Sequence, residues 1–118
     1  MPAKDWRLRI MDILEAIRRI QTYTAGMNRE ALAADPKTLD AILRNLVVIG
    51  EAVRHIPDEI TMRFTDVPWD RMRAMRNFLI HEYPSVDPNI VWDTTQIDLP
   101  PLVPLLQQVL ALAGRPGD

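Results

Sequence analysis

Apolar residues in this chain recur every three or four positions, and prolines mark most of the places where one run stops and the next begins. That period is the signature of amphipathic helices, and it leaves no alternating segment from which a sheet could be built. Trp6, Ile10, Ile13, Leu14, Ile17 and Ile20 form the first stripe, over about 5–24. Arg7, Arg9, Arg18 and Arg19 lie mostly off it. Gly26 breaks the pattern, and 28–34 has room for one or two further turns. Asp35-Pro36 then supplies a cap acceptor and a preset φ, and Leu39, Ile42, Leu43, Leu46, Val47, Ile49 and Val53 carry a second long helix to about His55. Pro57 stops it.

The spacing predicts a short helix over 58–64, a turn over 65–68 and a third main helix over 68–81, with Met72, Met75, Leu79 and Ile80 on its apolar face. Pro84 ends that helix through its clash with residue 83. Asp87-Pro88 repeats the cap-and-proline start for a helix over 90–97, Pro100-Pro101 interrupt, and 102–113 close the pattern. The expectation is an all-α antiparallel bundle of four to five helices, because each stripe needs an apolar partner and only other helices can supply one. Gly50 costs about 1 kcal/mol in an exposed helix relative to alanine, which points to a close helix or subunit approach at that position.

With 118 residues, 47% of them hydrophobic, the chain matches one domain, expected over 1–113, followed by a short flexible tail over 114–118. The absence of cysteine excludes disulfides, zinc thiolates and thiol nucleophiles. No leader-like or membrane-spanning run is present, so a cytoplasmic location without membrane attachment is expected. A net charge of −2 argues against broad coating of nucleic acid. Any RNA contact must be local, and Arg63, Arg71, Arg73 and Arg76, opposed over that stretch only by Asp66 and Asp70, are the one modest basic excess.

There are two histidines. His55 falls four residues after Glu51, on one helix face, and reads as an ion-paired helix end. No Glu-x-x-His pair of the di-iron type, no phosphate-binding glycine loop and no nucleophile elbow occurs, so neither metal nor cofactor is expected. His81 stands in the octet Arg76-Asn77-Phe78-Leu79-Ile80-His81-Glu82-Tyr83. A near-neutral imidazole can take the proton of a ribose 2′-hydroxyl, and a permanently charged guanidinium can hold a phosphate and offset its growing charge. Together they suffice for metal-free RNA cleavage. On an ideal helix, however, Arg76 and His81 lie about 140° apart, while Arg73, Asn77 and His81 share a face. Two copies of the helix across a twofold axis would bring two such sets into one cleft.

The octet, together with Pro68-Trp69, Ile49-Gly50-Glu51-Ala52, Val91-Trp92 and Asp98-Leu99-Pro100, resembles the HepT-like toxins of the HEPN superfamily over about 5–112. That resemblance implies a HEPN fold and a homodimer with its cleft between subunits. It also implies a metal-independent endoribonuclease, the toxin of a type VII-like toxin–antitoxin system, that leaves a cyclic phosphate. By position, Arg76 and His81 match the catalytic pair and Asn77 the polar residue that often follows the arginine, while Arg73 is a weaker candidate for RNA-backbone binding. Tyr83 matches the tyrosine that a partner MntA-like nucleotidyltransferase antitoxin modifies with AMP, a change whose charge and bulk would repel an RNA backbone.

Plainer roles stand beside these. Arg76 could be an inter-helix ion pair with Glu82 or Asp70, Asn77 a helix-surface hydrogen bond and Tyr83 a ring closing the helix end. Trp69, Trp92, Met72 and Met75 read as packing rather than base-stacking platforms. The rival to a nuclease is a non-catalytic helical module that dimerises and docks a nucleotidyltransferase. A third reading is a stand-alone structural bundle.

Overall fold

The computed structural model describes residues 5–82 and 85–113. Among the described residues seven α-helices and one π-helical turn follow one another: α1 (Trp6–Thr24), α2 (Arg29–Ala33), α3 (Pro36–Val53), α4 (Asp58–Arg63), α5 (Trp69–Glu82), α6 (Pro88–Asp93), the π-turn (Thr94–Asp98) and α7 (Leu102–Ala113). No strand occurs among the described residues. The count exceeds the expected four to five because α2 and α4 are one- to two-turn connectors that form complete helices. The expected single helix over 90–97 is instead α6 followed by the π-turn. Val91, Thr95 and Leu99, spaced four residues apart, are buried on the core side of this segment.

Local chemistry places the helix starts where the sequence indicates. Asp5, Asn28, Asp35 and Asp87 each accept a backbone amide of the first turn, from Arg7, Ala31, Thr38 and Asn89 respectively. Pro36 and Pro88 sit at the first helical positions of α3 and α6.

Helix α3 is the central element, packed by α1 on one side and α5 on another, while α7 lies against α1 and α2 bridges α3 to α6. Four residues of the α1 stripe, Ile10, Ile13, Ile17 and Ile20, are buried against a core that includes Ile42, Leu46, Ile49 and Val53 of α3, and Trp6 and Leu14 are partly buried beside it. Each such side chain removed from water contributes roughly 1.5–3 kcal/mol. Trp69 and Met72 are buried, Met75 and Trp92 pack against the same core, and the Trp69 indole N–H donates to the Phe64 carbonyl at 2.9 Å. These four side chains are packing residues. Ile80 departs from its expected place on the apolar face, since it is 50% exposed while Leu79 beside it is buried. No described helix is long and apolar enough to cross a membrane.

Candidate active site on the outer face of α5

Arg76 lies where α3 and α5 meet. Gly50 of α3 faces it so closely that a Cβ built on the glycine would lie 2.5 Å from the Arg76 Cβ and 3.1 Å from its backbone nitrogen. The close approach foreseen from Gly50 is therefore between helices of one chain. Next to the glycine, Glu51 sets its Oε1 against the Nε of Arg76 and forms an ion pair across the α3–α5 contact. Arg54 reaches the same carboxylate at 3.2 Å. The Nη1 of Arg76 donates to the Asn77 Oδ1 at 3.3 Å. The guanidinium thus meets a carboxylate at its buried Nε, as an ion pair rather than a hydrogen bond, and an amide oxygen at Nη1, in a side chain that is 28% exposed.

Two expectations are corrected by this arrangement. The inter-helix partner of Arg76 is Glu51, not Glu82 or Asp70, and Asp70 instead takes Arg73 at 2.6 Å. His55 lies beyond the last residue of α3 and is exposed, while the carboxylate expected to pair with it is engaged by Arg54 and Arg76. In the sequence Glu51 stood out as part of the run around Gly50 and as a same-face neighbour of His55, not as a partner of Arg76. A glycine within an apolar helical stripe was the available signal of a crossing point, and its polar neighbour was the residue to ask about.

His81 sits in the last turn of α5, exposed, and makes no hydrogen bond or ion pair with any other described residue. Asn77, one turn earlier, is exposed too. Arg76 and His81 are therefore not brought into contact within one chain, as their helical offset requires. Arg73 is partly committed to Asp70. Tyr83 lies outside the described residues, as does the expected tail over 114–118.

The basic excess of this region is smaller in the fold than in the sequence. Arg71 approaches Asp98 at 3.9 Å, Arg63 lies over the Phe64 ring at 5.1 Å and donates to the Leu112 carbonyl at 3.4 Å, and Glu51 adds a charge opposite Arg76. All but the Arg63–Phe64 contact link residues distant in sequence. Arg44 of α3, by contrast, has no partner among the described residues. It lines a groove of about 430 Å³ together with Asp40, Leu43, Val47, Leu79 and Ile80. The groove joins α3 to the end of α5 that carries His81. Phe78, 43% exposed, adds to the apolar surface of that helix end.

An all-helical fold presenting Arg-Asn-x-x-x-His on one helix defines the class of the HEPN-like helical proteins. The chain belongs to the ribonuclease HepT-like family, whose model matches residues 13–109. It is 40% identical over 91 residues, 77% of this chain and 83% of the relative, to a protein of Thermococcus cleftensis described as a probable ribonuclease HepT. It is 34% identical over 110 residues, 93% of this chain and 91% of the relative, to a candidate RNase of Methanocaldococcus jannaschii. A candidate RNase of Caldanaerobacter subterraneus subsp. tengcongensis is 36% identical over 98 residues, 83% of this chain and 88% of the relative. No solved structure gave a significant match.

Proposed function

We propose that this protein is a metal-independent endoribonuclease, the toxin of a toxin–antitoxin pair acting in the cytoplasm, with Arg76, Asn77 and His81 as its working residues. The observation that carries the proposal is the contrast on α5 between a guanidinium engaged at Nε and Nη1 and an exposed imidazole one turn beyond Asn77. His81 takes the proton of a ribose 2′-hydroxyl. The freed oxygen attacks the adjacent phosphorus, and the charge that builds on the phosphoryl oxygens meets Arg76. The bond to the 5′-oxygen breaks, that oxygen takes a proton from an imidazolium, and a 2′,3′-cyclic phosphate and a 5′-hydroxyl end remain. Asn77 restrains the guanidinium, and Arg73 is a lesser contact to the RNA backbone.

One helix cannot wrap both groups around one phosphate, because they diverge by about 140°. A second copy of the chain supplies the missing half. The apolar groove lined by Leu43, Val47 and Ile80, with both an acidic and a basic residue in Asp40 and Arg44, is a surface that an isologous contact could cover. Likeness to the family further supports an MntA-like nucleotidyltransferase antitoxin that places AMP on Tyr83, where an added anion would repel the substrate backbone.

Purified protein should cleave RNA with chelator present, and His81→Ala should abolish cleavage while the protein stays folded. The ion pair of Arg76 with Glu51 favours a second reading, in which the arginine is an inter-helix clamp in a non-catalytic module that dimerises and docks the nucleotidyltransferase. That module would bind the partner and leave RNA intact.

A further inference from the structure

We propose that Glu51 is a positioning residue for Arg76, and that the Gly50–Glu51 step of α3 is built to present one guanidinium to the scissile phosphate. The inference rests on the nuclease reading above and extends it to a residue on a different helix.

An arginine carries five N–H hydrogens in a rigid fork. Glu51 covers the Nε edge of Arg76 and Asn77 accepts one hydrogen of Nη1, which leaves the rest of the fork for a phosphate oxygen pair. Without the Nε contact the side chain could rotate about its flexible stem, and a bidentate approach to phosphate would lose its fixed plane. Gly50 makes the contact possible. With no Cβ there, the α5 backbone at Arg76 comes near enough to α3 for the guanidinium to double back onto the neighbouring carboxylate. Arg54, which donates to the same Oε1 at 3.2 Å, keeps Glu51 in place and offsets part of its charge, so that Arg76 is held without being wholly neutralised.

A surface ion pair that merely tied α3 to α5 would behave differently from a positioning contact. Wild type, Glu51→Gln, Glu51→Asp, Arg76→Ala and the Glu51→Gln/Arg76→Ala double variant are compared for single-site RNA cleavage and for thermal unfolding. Glu15→Gln, which breaks an exposed ion pair on α1, serves as a control with unchanged activity. Glu51→Gln should lower kcat by about ten- to a hundredfold with KM within about threefold, as expected for misorientation of a group that acts on the transition state. Glu51→Asp should recover part of the loss. The double variant should be no slower than Arg76→Ala alone, because Glu51 acts only through that arginine. The Arg76 Nε–H resonance should also shift on Glu51→Gln, a readout independent of cleavage. Wild-type cleavage with Glu51→Gln equally active would overturn the positioning role and leave the nuclease reading standing. A double variant slower than Arg76→Ala would assign Glu51 another task. Wild-type protein that cuts no RNA would remove both.

Discussion

Gly50 lies so close under Arg76 that the arginine backbone occupies the space a methyl group on the glycine would need. An alanine there gains about 1 kcal/mol of helix propensity. It also places a carbon 2.5 Å from the Arg76 Cβ and 3.1–3.2 Å from its backbone nitrogen and Cα, atoms that move only if α5 moves. Overpacking of this kind costs about 1–3 kcal/mol. Gly50→Ala is therefore expected to destabilise the fold by about 1 kcal/mol net, and to lower cleavage more than stability, since the displaced helix carries the site. Urea unfolding and an RNA cleavage assay check the two effects separately.

His81 is exposed and without a partner among the described residues, so His81→Ala should leave the unfolding midpoint nearly unchanged. Loss of a general base typically costs about 10²–10⁴ in rate. Arg76→Lys should be nearly as damaging despite its retained charge, because an ammonium cannot meet Glu51, Asn77 and a phosphate in one plane. Cleavage rates, with circular dichroism to show that both variants keep their helices, test this. A His81→Ala variant that still cuts would remove the assigned base.

Most of the helical frame was legible because its signals are local. The α1 stripe, the Asp35-Pro36 start and the stop before Pro57 depend only on neighbouring residues, and each is found in the fold. The partner of Arg76 was not legible in this way. Glu51 and Arg76 are 25 positions apart in sequence, and only the crossing of α3 and α5 brings them together. The same crossing explains Ile80. Helical period assigns it to the apolar face, but α3 covers Leu79 and leaves Ile80 at the rim of an open groove. The π-turn escaped because a widened turn has no local residue code.

Ile80 also gives a test of assembly. A half-exposed isoleucine contributes little to the core of one chain, so Ile80→Glu should change monomer stability by less than about 1 kcal/mol. If the groove it rims joins two copies, a carboxylate there is desolvated at the contact, and the protein should shift toward monomer in analytical ultracentrifugation. Cleavage should fall with the dimer fraction. An Ile80→Glu protein that sediments as wild type would place the contact elsewhere.

Acid should weaken the fold through specific carboxylates. Hydrogen bonds from Arg18, assisted by Arg19, hold Glu15 at about 2, below its ordinary value of 4.5. The side chain and backbone of Thr38 hold Asp35 below its ordinary 3.8 as it caps α3. Both groups bind protons more readily in the unfolded chain than in the folded one. Their stabilisation is therefore fully present above about pH 4.5 and fades as pH falls through the folded values. Glu15 is half-exposed and Asp35 partly buried, so salt should reduce the ion-pair contribution of Glu15 while sparing the uncharged donors around Asp35. The unfolding midpoint should be level from pH 7 to about 5 and decline from about 4.5 to 2. Glu15→Gln should make that decline shallower at low ionic strength, with little difference from wild type in 1 M salt. An acid limb unaffected by Glu15→Gln at low salt would show that the α1 ion pairs contribute nothing to folding.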